Sequence, residues 1–331
     1  MNVKHEKALE QLMEAYACSP SLGAACDIMD FRIRNYASGL AAGECAPILP
    51  AAKLQPPVWL PEIDAGELAV DVLREHVANA GGLIVRGLIT EPEAQAYREK
   101  VHAAFEERQR IEEGSINVAS TSWLQRPSSI AGIPVGRNHA KRQKGMAIGS
   151  MWAVDAPTIA LDLIGTFQTL GLDDLLAAYF HDGPVLSVKK WVLRRVKPNN
   201  GAEAGWHQDG RFMGEGIRSL NLWLSLSACG SGSEAPGIEF LVDNKREIYE
   251  TGTQGAHFDW TVGQQLVESL ATAGVGAIVR PYFGPGDAVF FDHYSLHRTA
   301  FGLSDCDHRY AVESWFFPRS NAPQNQHPLV F

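Results

Sequence analysis

Two imidazoles and one carboxylate carry the chemistry this chain is able to do. They are His207 and Asp209 of Trp206-His207-Gln208-Asp209-Gly210, and His297, which follows the apolar run Gly286-Asp287-Ala288-Val289-Phe290-Phe291. On a β-strand, side chains at i and i+2 leave the same face, so His207 and Asp209 are spaced to grip one ion. His297, brought in by a distant strand, would complete three ligands and leave half of the coordination sphere open. Two neutral nitrogens, one carboxylate and vacant positions suit a non-heme ferrous centre. A lone strand histidine is ordinarily structural. His297 differs because an apolar strand entered through a Pro-Gly-Asp turn delivers it to an interior, where its nitrogen needs a partner.

Arg309 lies twelve residues beyond His297, across a turn containing Gly302, Ser304, Asp305 and Asp307. Two strands joined by such a turn are expected to form an antiparallel hairpin. His297 and Thr299 would share one face of its first strand, and Arg309, Ala311 and Glu313 one face of its second. That hairpin would set Arg309 beside Thr299. A guanidinium next to a hydroxyl is a clamp for a carboxylate, which arginine binds through two parallel bonds. The plainer reading is a surface arginine paired with Glu313 or Asp307.

The elements that must position these groups are mostly strands. Leu220, Leu222, Leu224 and Leu226 alternate with Ser219, Asn221, Trp223, Ser225 and Ser227 at a period of two. Further strands fit 188–196, 237–242, 287–292, 296–301 and 308–317. Short strands with glycine and proline turns point to a sandwich or jelly-roll barrel. Upstream, Leu9, Leu12, Met13 and Tyr16 predict a helix over 5–17. Prolines at 47, 50, 56, 57 and 61 mark an irregular stretch from about 18 to 64, and a helix is expected over about 65–79. Gly82-Leu83-Ile84-Val85-Arg86-Gly87 reads as a short strand. Thr90-Glu91-Pro92-Glu93 is a helix start, with Thr90 capping and Glu93 returning the bond, and that helix runs to about Glu113. Two helices are expected within about 156–180. Residues 115–153 lack periodicity and read as a loop or lid containing Trp123, His139, Trp152 and the basic run Arg137 to Lys144. The run is ordinarily a solvated face.

Thirty-eight acids against 29 bases give a net charge of -9, which argues against a general nucleic-acid binder. Five cysteines with no CxxC pair suggest neither a disulfide framework nor a thiolate zinc site, so a reducing compartment, the cytoplasm, is expected. No apolar run is long enough for a membrane span, and no secretory signal is read at the N-terminus.

With these residues in view, the chain resembles the phytanoyl-CoA dioxygenase-like family of Fe(II)/2-oxoglutarate oxygenases. Trp206-His207-Gln208-Asp209, Gly286-Asp287 with His297, and Arg309-Tyr310-Ala311 carry the resemblance, together with Gly82 to Leu88 and Glu91-Pro92-Glu93. It spans roughly residues 75–318. It implies an α+β fold with a double-stranded β-helix core, jelly-roll and cupin-like, flanked by helices. Residues 1–74 would then be a helical and irregular extension packed on the core, and 75–331 the catalytic domain with a lid-like insert at 115–153.

By the same resemblance, His207, Asp209 and His297 hold Fe(II), and Arg309 with Thr299 binds the far carboxylate of 2-oxoglutarate. Trp223 walls the cosubstrate site, with Asn221 beside it. Lys189 or Lys190 would add a polar contact, since alternation turns only one of them inward. The implied reaction consumes O₂ and 2-oxoglutarate, releases succinate and CO₂, and oxidises a prime substrate. Related halogenases carry a small residue where this chain has Asp209, so hydroxylation is the expected outcome. The prime substrate is expected to be a small metabolite, with His139 and Trp152 as candidate contacts, and neither nucleic acid nor membrane is an expected partner. The oligomeric state is not legible.

Two other classes are compatible with parts of the pattern. A cupin-like metal enzyme without a cosubstrate would need to recruit His293. A non-catalytic jelly-roll binding module would have no chemical need of the whole set. His293 and His297 also form an HxxxH pair, but no HExxH glutamate accompanies it, which disfavours a zinc hydrolase. His257, Trp260, Trp315, Phe316 and Phe317 read as packing residues.

Overall fold

The computed structural model describes residues 3–36, 58–132, 149–198, 205–214 and 216–331. The chain divides into two compact units. One comprises Met1–Cys45, Ala96–Arg195 and Ser314–Phe331; the other comprises Ala46–Gln95 and Val196–Glu313. In chain order the strands are β1 (Glu62–Asp64), β2 (Gly82–Arg86), β3 (Ser150–Trp152), β4 (Pro184–Val196), β5 (Leu220–Ser225), β6 (Cys229–Gly230), β7 (Gly237–Val242), β8 (Ala277–Val279), β9 (Tyr282–Phe283), β10 (Ala288–Phe291), β11 (Leu296–Ala300), β12 (Arg309–Pro318) and β13 (Pro328–Val330). The architecture is mixed α/β: β1 pairs parallel with β2, while β2–β10, β10–β5, β11–β7, β7–β8, β6–β9, β13–β4 and β3–β4 pair antiparallel.

The first unit is mainly helical. Helix Val3–Cys18 packs the expected face, Leu9, Leu12, Met13 and Tyr16, on Ala25, Ile28 and Leu161. Ala25 and Ile28 belong to a helix at Leu22–Arg34, inside a stretch the sequence pattern leaves irregular. Ser21 starts it by accepting a hydrogen bond from the Ala24 amide at 3.1 Å. Its Arg32 is buried and donates to the Val330 carbonyl at 3.1 Å; burial lowers the guanidinium pKa to about 10. Helices Pro157–Thr169 and Leu172–Phe180 fill the span where two were expected. Part of the expected loop is strand: β3 pairs antiparallel with β4, Trp152 opposite Val192. Residues 115–132 are anchored where Glu107 accepts the amides of Ser122 and Trp123 at 2.7 and 2.8 Å. Residues Arg137 to Lys144, His139 among them, lie outside the described residues.

The second unit holds two larger sheets and a two-stranded one, β6-β9. In one, the order is β1-β2-β10-β5, and β12 follows β5. The other is β11-β7-β8. Their facing aromatics meet: Phe240 of β7 lies 5.4 Å from Phe291 of β10, ring to ring. Both are fully buried, and side chains of this size each contribute about 1.5–3 kcal/mol on leaving water. Every residue of β5 is buried, so its Asn221, Trp223 and Ser225 face does not meet solvent despite its polarity.

The Gly286-Asp287 turn shows why those two residue types stand there. Gly286 has φ +94°, and a Cβ on it would lie 2.2 Å from the Ile89 carbonyl oxygen. The Asp287 carboxylate accepts from the Gly87 and Gly284 amides, both at 2.9 Å, and from Arg86 at 2.8 Å. It thereby ties the end of β2 to the start of β10. The helix Glu91–Glu112 begins with the expected reciprocal cap: Thr90 N–H donates to Glu93 at 2.8 Å, and the Glu93 amide returns to Thr90 Oγ1 at 3.4 Å. No helix among the described residues is long and apolar enough to cross a membrane.

Candidate functional site

His207 and His297 are set by the backbone. They form an antiparallel bridge and exchange both main-chain bonds, His207 N–H to His297 O at 2.9 Å and His297 N–H to His207 O at 3.0 Å. Residues opposed in this way point to one side of the ladder. Their rings stand 4.4 Å apart, 49° from parallel. In each ring Nδ1 meets a carbonyl two residues earlier: His207 meets Gly205 O at 2.9 Å and His297 meets Ser295 O at 3.0 Å. A carbonyl only accepts, so Nδ1 carries the hydrogen and Nε2 is left as the basic nitrogen, the second-sphere arrangement common to metal-ligating histidines. Phe291 and Phe240 pack on His297 at 4.8 and 6.1 Å.

Asp209 is buried two residues along, but not by strand alternation. It has helical backbone angles, φ -64° and ψ -24°, and precedes a one-turn helix, Gly210–Met213. The expectation that His207 and Asp209 share a strand face is corrected: a turn, not a pleat, carries Asp209. The turn is pinned by the Gly210 amide donating to His293 O at 2.9 Å. Gly210 is required by crowding, since a Cβ there would lie 2.7 Å from Ile248 and 2.9 Å from His293. Among the described residues no group of three or more His, Cys, Asp and Glu side chains converges as a ready-made metal cage. The fold thus pre-sets the imidazole pair, with the carboxylate on the adjoining turn.

Gln208, between the two candidate ligands, has a positioning role that sequence reasoning missed. Its amide donates to Glu247 O at 2.9 Å and Tyr294 O at 2.6 Å, and its Oε1 accepts the Tyr249 amide at 2.7 Å. One buried side chain therefore ties the His207–Asp209 segment to two other loops. The only sequence signal for it is its place between His207 and Asp209.

Arg309 and Thr299 lie side by side, by another route than expected. Arg309 is buried; its Nη2 lies 3.4 Å from Thr299 Oγ1, its Nη1 donates to Gly237 O, and its guanidinium carbon sits 5.6 Å above the Trp223 ring. The expected hairpin is absent: β11 pairs with β7, whereas β12 lies beside β5, so Arg309 reaches Thr299 from one sheet to the other.

Asn221 and Trp223 connect the two halves of the site. Asn221 stands opposite Phe291, which packs on His297, and Trp223 stands opposite Val289 under Arg309. One face of β5 and β10 therefore runs from the imidazole pair to the guanidinium. Two residues of strand span about 6.7 Å, the scale of a five-carbon diacid.

Lys189 and Trp152 belong to the first unit. Lys189 is half-buried there, and Trp152 lies under the Arg126 guanidinium at 5.3 Å. His139 is outside the described residues. His293 is buried, with Nδ1 2.9 Å from Ser219 Oγ. Asp292 pairs with Arg246, as a structural carboxylate would.

No protein-family model matches the chain, and no curated protein matches it in sequence. Solved structures resemble it loosely. The non-heme alpha-ketoglutarate-dependent carbocyclase SnoK from nogalamycin biosynthesis is 13% identical, covering 78% of this chain and 87% of its own, with a TM-score of 0.47. AviO1 from Streptomyces viridochromogenes Tue57 is 16% identical over 77% of this chain and 98% of its own, at 0.46. The non-heme alpha-ketoglutarate-dependent epimerase SnoN, also from nogalamycin biosynthesis, is 13% identical over 75% and 83%, at 0.43. Superposition at this level carries no activity from those proteins to this chain, so the chemistry is read from its own side chains.

Proposed function

We propose that the chain is an Fe(II)- and 2-oxoglutarate-dependent oxygenase of jelly-roll architecture that hydroxylates a small-molecule metabolite. One observation carries the reading: the buried Asn221–Trp223 face of β5 has beside it, through Phe291, an imidazole pair with committed Nδ1 atoms and, over Trp223, the guanidinium of the Arg309–Thr299 pair.

The residues fit the group. Both imidazoles present Nε2 as the ligating nitrogen, and Asp209 on the adjoining turn would supply the anionic ligand that a hard ferrous ion favours. Arg309 and Thr299 are the donor pair for a far carboxylate. When bound, iron with 2-oxoglutarate and O₂ supplies the oxidising chemistry, with succinate and CO₂ as co-products.

This chain's own work is orientation and exclusion of water. The main-chain bridge sets the two imidazoles side by side, and the Nδ1 contacts orient them. Arg309 neutralises the cosubstrate's distal charge, Thr299 adds a directional hydrogen bond, and Trp223 closes the wall beneath the guanidinium. Phe240 and Phe291 keep the His297 side dry, which strengthens each charged contact.

Anaerobic addition of Fe(II) and 2-oxoglutarate is the direct test. The expected result is a weak visible charge-transfer band in the wild type that disappears in His297→Ala and needs far more 2-oxoglutarate in Arg309→Ala. A wild-type protein that binds Fe(II) without any band on adding the keto acid would overturn the proposal. An Arg309→Ala band that saturates as in the wild type would remove Arg309 from the cosubstrate site.

A further inference from the structure

Beside His207 three more aromatic rings gather, and they are only partly covered. Trp260 turns its edge onto His207 at 5.8 Å with planes 81° apart. It lies parallel to Phe258 at 5.4 Å, 2° between planes, and edge-on to Phe212 at 6.1 Å and 85°. Phe258 is 39% exposed and Phe212 38%. Single exposed apolar side chains are ordinary, but exposed rings joined into one patch mark a binding surface.

The patch is built, not frayed. Phe212 follows Asp209 on the one-turn helix Gly210–Met213. Phe258 and Trp260 ride a turn closed by the fully buried Thr261, whose Oγ1 donates to Phe258 O at 2.9 Å and accepts the Phe258 amide at 3.0 Å. The next residue, Val262, bridges Trp206, its amide donating to Trp206 O at 2.8 Å. The platform is thus tied to the same short segment that bears His207.

We infer that Phe212, Phe258 and Trp260 form the recognition surface for the prime substrate, and that it takes a planar, apolar ring system. The inference rests on the proposed oxygenase reading. Parallel and edge-on rings offer both geometries that aromatic ligands favour, at little conformational cost. Continuity through Trp260 to His207 would bring a stacked ring to the edge of the candidate metal centre. Hydrophobic and aromatic linings with few polar groups are the usual make-up of small-molecule sites.

Equilibrium dialysis of 2-naphthol against the full chain tests this, with decahydro-2-naphthol as the saturated control. The wild type is expected to bind 2-naphthol more tightly than the control. Phe258→Ala should bind it about five-fold less tightly, and Trp260→Phe should retain most of the affinity. The Fe(II)–2-oxoglutarate band should be the same in Phe258→Ala as in the wild type. Absence of wild-type binding, equal binding of the saturated control, or unchanged affinity in Phe258→Ala overturns the inference while the band stands. Binding of 2-naphthol with no band in the wild type overturns the oxygenase reading instead, and with it the platform's role as a substrate site.

Discussion

His207 and His297 exchange two main-chain hydrogen bonds, 2.9 and 3.0 Å, and their rings stand 4.4 Å apart. The bridge sets both side chains on one side of the ladder, and the Nδ1 contacts to Gly205 O and Ser295 O orient the rings. The pairing of the two imidazoles therefore persists while the ladder does.

Asp209→Ala and His297→Ala are expected to lower Fe(II) affinity by more than the roughly 10- to 100-fold typical of losing an outer-sphere partner. Anaerobic titration with a competing chelator measures it. Wild-type affinity in Asp209→Ala would remove that residue from the ligand set.

Gln208→Ala acts through the support rather than the ligands. It strips partners from Glu247 O, Tyr294 O and the Tyr249 amide. Each buried group left unmet costs about 1–3 kcal/mol, so denaturant unfolding should show a clear loss of stability. Fe(II) affinity should fall by about 10-fold or more. Gln208→Glu, which keeps an acceptor for Tyr249 but loses the amide donors, should lie between.

Arg309→Ala should raise the 2-oxoglutarate concentration needed for half-saturation by about 30-fold or more, since removing one side of a buried charged contact costs about 2 kcal/mol at least. Arg309→Lys keeps the charge but not the planar fork, and should recover only part of the loss. Fe(II) affinity should not change in either variant, which separates clamp from metal site.

His327 gives the stability a pH dependence of known sign. Burial first, and the nearby Lys189 charge second, hold its pKa below the ordinary 6.5. The folded chain refuses a proton that the unfolded chain accepts. Stability is therefore full above about 6.5 and is lost as pH falls through that value toward the lowered folded one. His327 sits at φ 50°, a left-handed conformation that asparagine tolerates. His327→Asn should flatten this part of the stability profile between pH 7 and 5. An unchanged slope would mean that another group carries it.

Much of the site is legible in the chain because its signals are local. β5 shows its period of two, the Gly286-Asp287 turn shows its residue types, and Thr90-Glu93 shows its cap. What is not legible depends on distant partners. A separation of twelve residues fits a hairpin or a crossing between sheets equally well, so Arg309 meets Thr299 by the route that spacing does not reveal. Asp209 sits on a turn fixed by His293, eighty-four residues away, which no two-residue spacing encodes. Helix Leu22–Arg34 hides because the partners that bury its Arg32, the Val330 carbonyl among them, are distant in the chain. Trp260 reads as packing because exposure is a property of the fold, not of residue type.

Two glycines separate backbone need from mere tolerance. Gly286 holds φ +94°, with the Ile89 carbonyl oxygen 2.2 Å from where a Cβ would stand. Gly286→Ala adds left-handed strain, about 1–3 kcal/mol by itself, to a backbone overlap that can be relieved only by parting β10 from the Ile89 segment. Gly165 lies within helix Pro157–Thr169, with nothing within 4 Å of a Cβ. Gly165→Ala should therefore stabilise by about 0.5–1 kcal/mol, because alanine loses less freedom on entering a helix. Thermal unfolding of the two variants should shift in opposite directions. A Gly286→Ala protein as stable as the wild type would mean that the turn does not hold β10 where the site requires it, and the aromatic contact of Phe291 with His297 would lose its anchor.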